Sequence, residues 1–427
     1  MNKRNFLFTL CVVLSLQSCS SKRGTNDQGD LVSINIIDQN GITETISNPE
    51  RIKQFKTVNF MEPQPYQKVL RVYGRNDEGG VHSYLTSYHD NGQLKQYLEG
   101  QNTRAFGAYQ EWYPNGYLKL HSKIIGGDAD LTPTSEATWI FDGTCQAWDE
   151  NGCLEAEISY CKGALEGYST YYHLNGSIWK LIPFRNGLTE GIAEIRLDTG
   201  EVLQQSSFLA GESHGPSTRY WENGKISAQE YFNQGRLEKG EYFDLNGDLI
   251  SQIEDGNGYR VLFGRRAVGE LQQYHNGFQE GEIKVYAQNG FLMKKYHMKD
   301  EVRHGEEAEY FDPNIVKKAN TPKLSINWYD GKIQGTAKTW YDNGVQESQR
   351  DFSNNQKNGL STAWYRNGSL MLIEEYERDK LIKGEYYKKG DPLPISQIKD
   401  GNGTVTFFDA DGNFLEKAEY VNGMPEE

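Results

Sequence analysis

From residue 86 onward, apolar and polar positions alternate with a period of two, in runs of about eight residues broken by turn formers. "LEAEIS" (154–159) is representative: Leu154, Ala156 and Ile158 face one way, and Glu155, Glu157 and Ser159 the other. A period of two marks a strand with one face turned inward. No segment carries a helical stripe of useful length, although "NPERIKQF" (48–55) has room for one short helical turn. Many runs are joined by Asn-Gly, as at Asn115-Gly116, Asn151-Gly152, Asn343-Gly344 and Asn367-Gly368. Asn-Gly suits a two-residue hairpin turn, in which both central residues need φ > 0. A second turn of the form GxxxG follows each hairpin, as in "GALEG" (163–167) and "GKIQG" (331–335). The pattern predicts an all-β chain of hairpins joined in series.

The hairpins repeat. Turn glycines fall at Gly92, Gly116, Gly152, Gly176, Gly200, Gly224, Gly247, Gly290, Gly344, Gly368, Gly390 and Gly412, most often 24 residues apart. Two wider gaps hold degenerate units, around Gly269 and around "FDPN" (311–314), and an insertion falls at 126–137. About fourteen units fill 86–427, after a non-repeat β region at 31–85. A period in this range signals a repeat architecture and overrides a domain count taken from length. A six-unit block is also duplicated, since 215–258 resembles 359–403. The expected fold is an elongated, single-layer antiparallel meander, extending roughly 130 Å at about 4.8 Å per strand. In such a layer the aromatic residues must do much of the burial. One stands five residues after each unit's opening glycine: Trp112, Trp148, Tyr172, Tyr220, Tyr286, Trp340, Trp364 and Phe408.

This grammar resembles the MORN-repeat variant family, short hairpin repeats of bacterial proteins often labelled YwqK-type antitoxins. The resemblance covers roughly 86–427. It implies a tandem-hairpin fold and no enzyme activity. The 31–85 preface and the N-terminal segment depart from the family pattern.

That N-terminal segment reads as a processing signal (1–18). Lys3 and Arg4 precede an apolar run from Phe6 to Leu16, too short for a permanent membrane span. "LQSC" (16–19) resembles the lipobox of bacterial lipoproteins, which implies removal of the signal and lipidation of Cys19. The absence of Asp after Cys19 implies the outer membrane of a Gram-negative bacterium, with the protein held by its lipid. An ordinary secretory signal is the alternative. Residues 19–30 form a polar tether.

Composition narrows the function further. The formal charge is −14, and an acidic surface repels phosphate backbones, so nucleic acid is an unexpected partner. With 45 glycines and 27 tyrosines, the chain has the turn formers and strand-favouring aromatics of a β protein. Cys145, Cys153 and Cys161 recur every eight residues, but hairpin pairing sets Cys145 opposite Ile158 and leaves Cys161 beyond bridging distance. They read as small residues at repeat positions, with a disulfide open only if the register slips. "GESHG" (211–215) matches the nucleophile-elbow motif around Ser213, yet it falls in the second-turn register, where other units carry Leu165, Gln279 and Ile333. His89, His173, His214, His275 and His304 flank turns and read as solvated residues. Asp128 and Asp130 lack the companions of a calcium loop, so the insertion reads as a decoration. No catalytic residue, metal site or cofactor is expected. The aromatic ladder is either the core of the sheet or a grip for an extended ligand. The function so implied is a non-enzymatic envelope scaffold for a protein partner. An immunity or antitoxin protein is the alternative, and a carbohydrate-active enzyme or glycan binder a distant third.

Overall fold

The computed structural model describes residues 30–75, 79–316 and 318–426. The signal segment, Cys19 and the tether up to residue 29 lie outside the described residues. Apart from three helices of four or five residues, the regular structure is strand, and every described strand pairing is antiparallel. The chain forms two compact units that divide after Gly167.

In the first unit, β1 (Asp30–Asp38) pairs with β2 (Thr43–Ile46) on one side and β3 (Gln67–Arg75) on the other. Helix α1 (Pro49–Lys53), the one short turn expected at 48–55, is capped by Asn48 and sets Ile52 against this sheet. Ile34, Ile46, Leu70 and Val72 form the core beneath it. A meander then runs through β4 (Val81–Tyr88), β5 (Leu94–Gln101), β6 (Arg104–Trp112) and β7 (Leu118–Gly126). β4 runs through the expected boundary at residue 85, pairing with the preface on one edge and the repeats on the other.

The 126–137 insertion is more than a decoration. It carries α2 (Pro133–Glu136) and leads Trp139 onto the sheet, where its ring meets Tyr109 at 4.6 Å over Leu85, Leu98 and Ile124. Asp130 accepts two bonds from the Arg71 guanidinium, at 2.7 and 3.2 Å. The loop thus covers a sheet face that a single layer would leave wet.

The second unit, from Tyr168, continues as a meander in chain order. Glu212–Tyr220, for example, lies between Val202–Leu209 and Ile226–Asn233.

The two turn types are the reverse of the expectation. At Asn115-Gly116 only the glycine has positive φ, at 87°. The Gly116 N–H donates to the Tyr113 carbonyl and the Tyr113 N–H to that of Tyr117, both at 2.9 Å. This is a three-residue loop, a type I turn closed by a left-handed glycine. Pro114 fits its second position, where φ near −65° is required. The paired positive-φ residues stand at the other turn instead, as at Lys162-Gly163 (48° and 88°) and Asp330-Gly331 (47° and 73°).

Freed from the backbone requirement, the asparagines reach to the next unit. Asn91 donates to the Pro114 carbonyl, Asn175 to that of Asp198 and Asn343 to that of Arg366, each at 2.8 Å and 23 residues on. A second set of rungs lies two residues earlier. Tyr113 hydroxyl donates to the Trp148 carbonyl, Tyr341 to that of Trp364 and Tyr365 to that of Tyr387. At the opposite edge, turn amides donate back to the preceding unit, as Gly211 to Thr189 and Gly331 to Arg303, both at 2.9 Å. Each unit is therefore tied to its neighbours at both edges, which gives the 24-residue spacing its physical content.

Asn343→Ala removes the rung to Arg366 and the bond that its Oδ1 accepts from the Val345 N–H. The expected cost is roughly 1 kcal/mol per bond. Asn343→Asp keeps the acceptor and loses the donor, so urea unfolding of the two variants separates the contributions.

The single layer is interrupted twice, where the duplicated segment lies. Leu237 N–H donates to the Gly277 carbonyl, Gly277 to Gly256, and Gly256 to Glu238. The sheet bends so sharply there that Trp221 and Phe263, two hairpins apart, meet at 4.6 Å. Inside the bend Ala228, Leu237, Tyr242, Ile253 and Val261 form a dry core. The second copy repeats this with Leu381, Gly401 and Gly423, around Leu381, Tyr386, Ile398 and Val405. Bending the sheet over its own face supplies the missing second layer.

Candidate interaction surface

The eight aromatics that follow the opening glycines are all half-buried; Trp112 packs against the first core, and none is itself fully buried. Seven have a described partner, two residues past the turn glycine: Trp112 faces Leu118, Trp148 Leu154, Tyr220 Ile226, Tyr286 Leu292, Trp340 Gln346, Trp364 Leu370 and Phe408 Phe414. The register slips by one residue at each of these pairs, a bulge recurring at the mouth of each hairpin. The backbone carbonyls of Trp112, Trp148 and Trp364 also receive rungs from the preceding unit. Each such aromatic has a fixed backbone and a partly exposed ring at the same place in its unit.

Four of the five histidines differ from the expectation, since His214 accepts from the Gln234 N–H at 3.3 Å, His304 Nδ1 lies 3.3 Å from Asp330, and His89 and His173 join the rungs. His89 Nε2 lies 2.9 Å from the Trp112 carbonyl and His173 Nε2 2.9 Å from that of Arg196, so both rings are half-buried rungs rather than solvated turn residues. A carbonyl partner requires the proton on Nε2. Cys145 lies opposite Ile158, as the pattern predicts, and the three cysteines are free. Burial pushes the Cys145 thiol above its usual range. Ser213 sits within the strand Glu212–Tyr220, opposite Phe208, so the strand-to-helix bend of a nucleophile elbow does not form. Among the described residues, no group of three His, Cys, Asp or Glu side chains stands close enough to hold a metal ion.

The alternation argument missed the buried charges. Glu230, its side chain 1% exposed, lies in the first bend. Arg260 Nε and Nη2 donate to it at 2.7 and 3.1 Å, Arg219 Nη2 at 3.3 Å and the Tyr242 hydroxyl at 3.0 Å. Burial opposes its ionisation, but the Arg260 bonds and charge, with Arg219 and Tyr242, outweigh it and hold the carboxyl below its ordinary range. In the second copy the described bonds to Glu374 come from hydroxyls, Tyr386 at 2.9 Å and Tyr376 at 3.2 Å. Ala363 and Val405 stand where the first copy has its arginines. A third buried acid, Glu307, pairs with Lys294 and Arg303. The signal was in the sequence: in "ISAQEYFN" (226–233), Glu230 falls on the inward register of Ile226, Ala228 and Phe232.

The family model for the MORN repeat variant matches residues 165–186 and 213–234. Two stretches of the chain thus match the MORN repeat variant. Both matches start two residues before an opening glycine and take in the hairpin that follows, so they coincide with the structural repeat. No curated protein matches the chain. Among solved structures, the chain is similar over 92% of its length to a chain of the Photorhabdus luminescens Tc holotoxin pore, with 11% identity and a TM-score of 0.14. It spans 24% of that chain. A eukaryotic initiation factor matches over 93% of this chain and 98% of its own, with 9% identity and a TM-score of 0.21.

Proposed function

We propose that the MORN-variant repeats act as a non-enzymatic scaffold that engages a protein partner, held at the cell envelope by lipid on Cys19. The observation that carries this reading is the aromatic row. Burial in both units is met by other residues, including Leu98, Ile124, Tyr242 and Tyr386. The row residues repeat at one register, and each is partly rather than fully buried. Half-exposed aromatics on a fixed backbone suit protein contact, because they offer large apolar area at little entropic cost.

The test is affinity capture from solubilised native membranes, with Cys19→Ala and Trp340→Ala/Trp364→Ala run beside the parent chain. One stoichiometric protein is expected. It should be lost when the two tryptophans are replaced and reduced when the anchor is removed. Retention of the partner by the double variant, or elution of polysaccharide in place of protein, overturns the reading.

A further inference from the structure

The two copies of the duplicated block bend alike but differ in charge, around the buried acid and again at the turn after the bend. In the second copy this turn is closed by a bond from the Asp409 N–H to the Asn413 carbonyl at 3.0 Å. It is also tied to the neighbouring hairpin. Arg366 N–H donates to the Ala410 carbonyl at 3.0 Å, while its guanidinium pairs with Asp342 and stands 3.9 Å from Asp411.

In the first copy the turn is one residue shorter, closing from Gly264 N–H to the Ala267 carbonyl at 2.8 Å. The charges are reversed. Glu222 takes the place of Arg366, and Arg265-Arg266 replace Ala410-Asp411. Arg265 is 74% exposed and meets Glu222 only at 3.9 Å, and Arg266 makes no ion pair among the described residues. A cleft lies on each side of the turn. One, of about 330 Å³, is lined by Arg265, Arg266, Tyr286 and Ala287. The other, of about 310 Å³, is lined by Arg219, Tyr220, Trp221, Phe263 and Arg265, with Glu222 as its one acidic residue. Tyr220 and Tyr286 belong to the aromatic row, so each cleft pairs one row residue with the basic turn. Behind them, Arg219 and Arg260 share the single carboxylate of Glu230, which leaves an excess positive charge.

We infer that this turn and its two clefts bind an acidic peptide segment carrying aromatic side chains, its carboxylates on Arg265 and Arg266 and its rings in the clefts. The inference deepens the scaffold reading by giving its partner a chemistry. Charge complementarity selects the occupant. On a chain of formal charge −14 the overall field opposes an acidic ligand, so its binding calls for a local basic site.

The test is fluorescence anisotropy of a short labelled peptide alternating glutamate with tyrosine, titrated with the full chain at low and physiological salt. A glutamine-for-glutamate peptide and a heparin oligosaccharide serve as comparison ligands. Arg265→Ala/Arg266→Asp installs the second copy's residues on an exposed turn, and Tyr286→Ala removes one ring. Saturable binding that weakens with salt, vanishes with the glutamine peptide and drops about tenfold or more in the arginine variant is expected. Unchanged binding by that variant, or no binding at millimolar peptide, overturns the inference. So does heparin binding through the same arginines without peptide binding. A partner captured equally well by the arginine variant also overturns it while leaving the scaffold reading intact. Peptide binding with no captured protein does the opposite.

Discussion

Gly256→Ala is expected to open the first bend at a cost of about 3 kcal/mol or more. Gly256 has φ +75°, and a Cβ built there would lie 2.3 Å from the Gly277 backbone nitrogen. Two penalties therefore coincide. The left-handed conformation alone costs an alanine roughly 1–2 kcal/mol. The clash is with backbone, which no rotamer change relieves, so the Gly277-to-Gly256 bond must stretch and the bend loosen. Gly247→Ala is the control, with φ +95° and nothing within 4 Å of its Cβ, and should show only the conformational cost. Gly401→Ala should repeat the larger effect in the second copy, where the Gly423 nitrogen would lie 2.7 Å away. Repeat chains need not unfold in one step, so hydrogen exchange at Leu237, Gly256 and Gly277 is the appropriate readout. Protection lost around one bend and kept around the other is the expected result. Equal protection in Gly256→Ala and Gly247→Ala would refute the close-approach argument.

Arg260→Ala is expected to cost about 3–5 kcal/mol, because it leaves the buried Glu230 carboxylate short of its main partner. Arg260 makes two of the four described bonds to Glu230, whereas Arg219 makes one long one, so Arg219→Ala should cost less. Pairing Arg260→Met with Glu230→Gln should recover part of the loss, since the neutral amide needs no counter-charge while Arg219 loses its carboxylate partner. The pH dependence follows from the lowered Glu230 carboxyl. A depressed carboxyl stabilises the folded state fully above its unfolded value of about 4.3, and the contribution fades as pH falls through the lower folded value. Glu230→Gln should therefore be less stable than the parent at neutral pH and converge with it in acid. Urea midpoints across that range check this, and a gap that persists at low pH would point to packing rather than charge.

How far the sequence was legible depends on the range of the interaction. Strand, hairpin and register are set by neighbouring residues, and the predicted pairing of Cys145 with Ile158 holds. The turn types could not be read from Asn-Gly alone, because the dipeptide fits two geometries and the residues around it decide. Pro114 points to the three-residue loop, and the longer view shows asparagine chosen for what it donates to the next unit. The bends lay beyond a local pattern, because they bring together turns up to forty residues apart, such as Leu237 and Gly277. Their glycines were visible only as repetition between 240–258 and 384–403. The aromatic row was found at its register, but burial falls to positions such as Tyr109 and Ile283, two residues after the opening glycine. The unit with the basic turn was read only as a degenerate one around Gly269, because its turn lacks the glycine by which the others were counted.

The rungs reach one unit forward or one unit back. A unit cut out cleanly would bring its two neighbours together, and each would find the partners it had before. Copy number can therefore drift by whole units along the straight stretches, as slippage during replication would cause, without a search for new contacts. The bends cannot drift this way, because three turns interlock there and loss of one strands the others. Length variation among relatives should fall between the bends, and the segments 226–286 and 370–423 should be inherited whole.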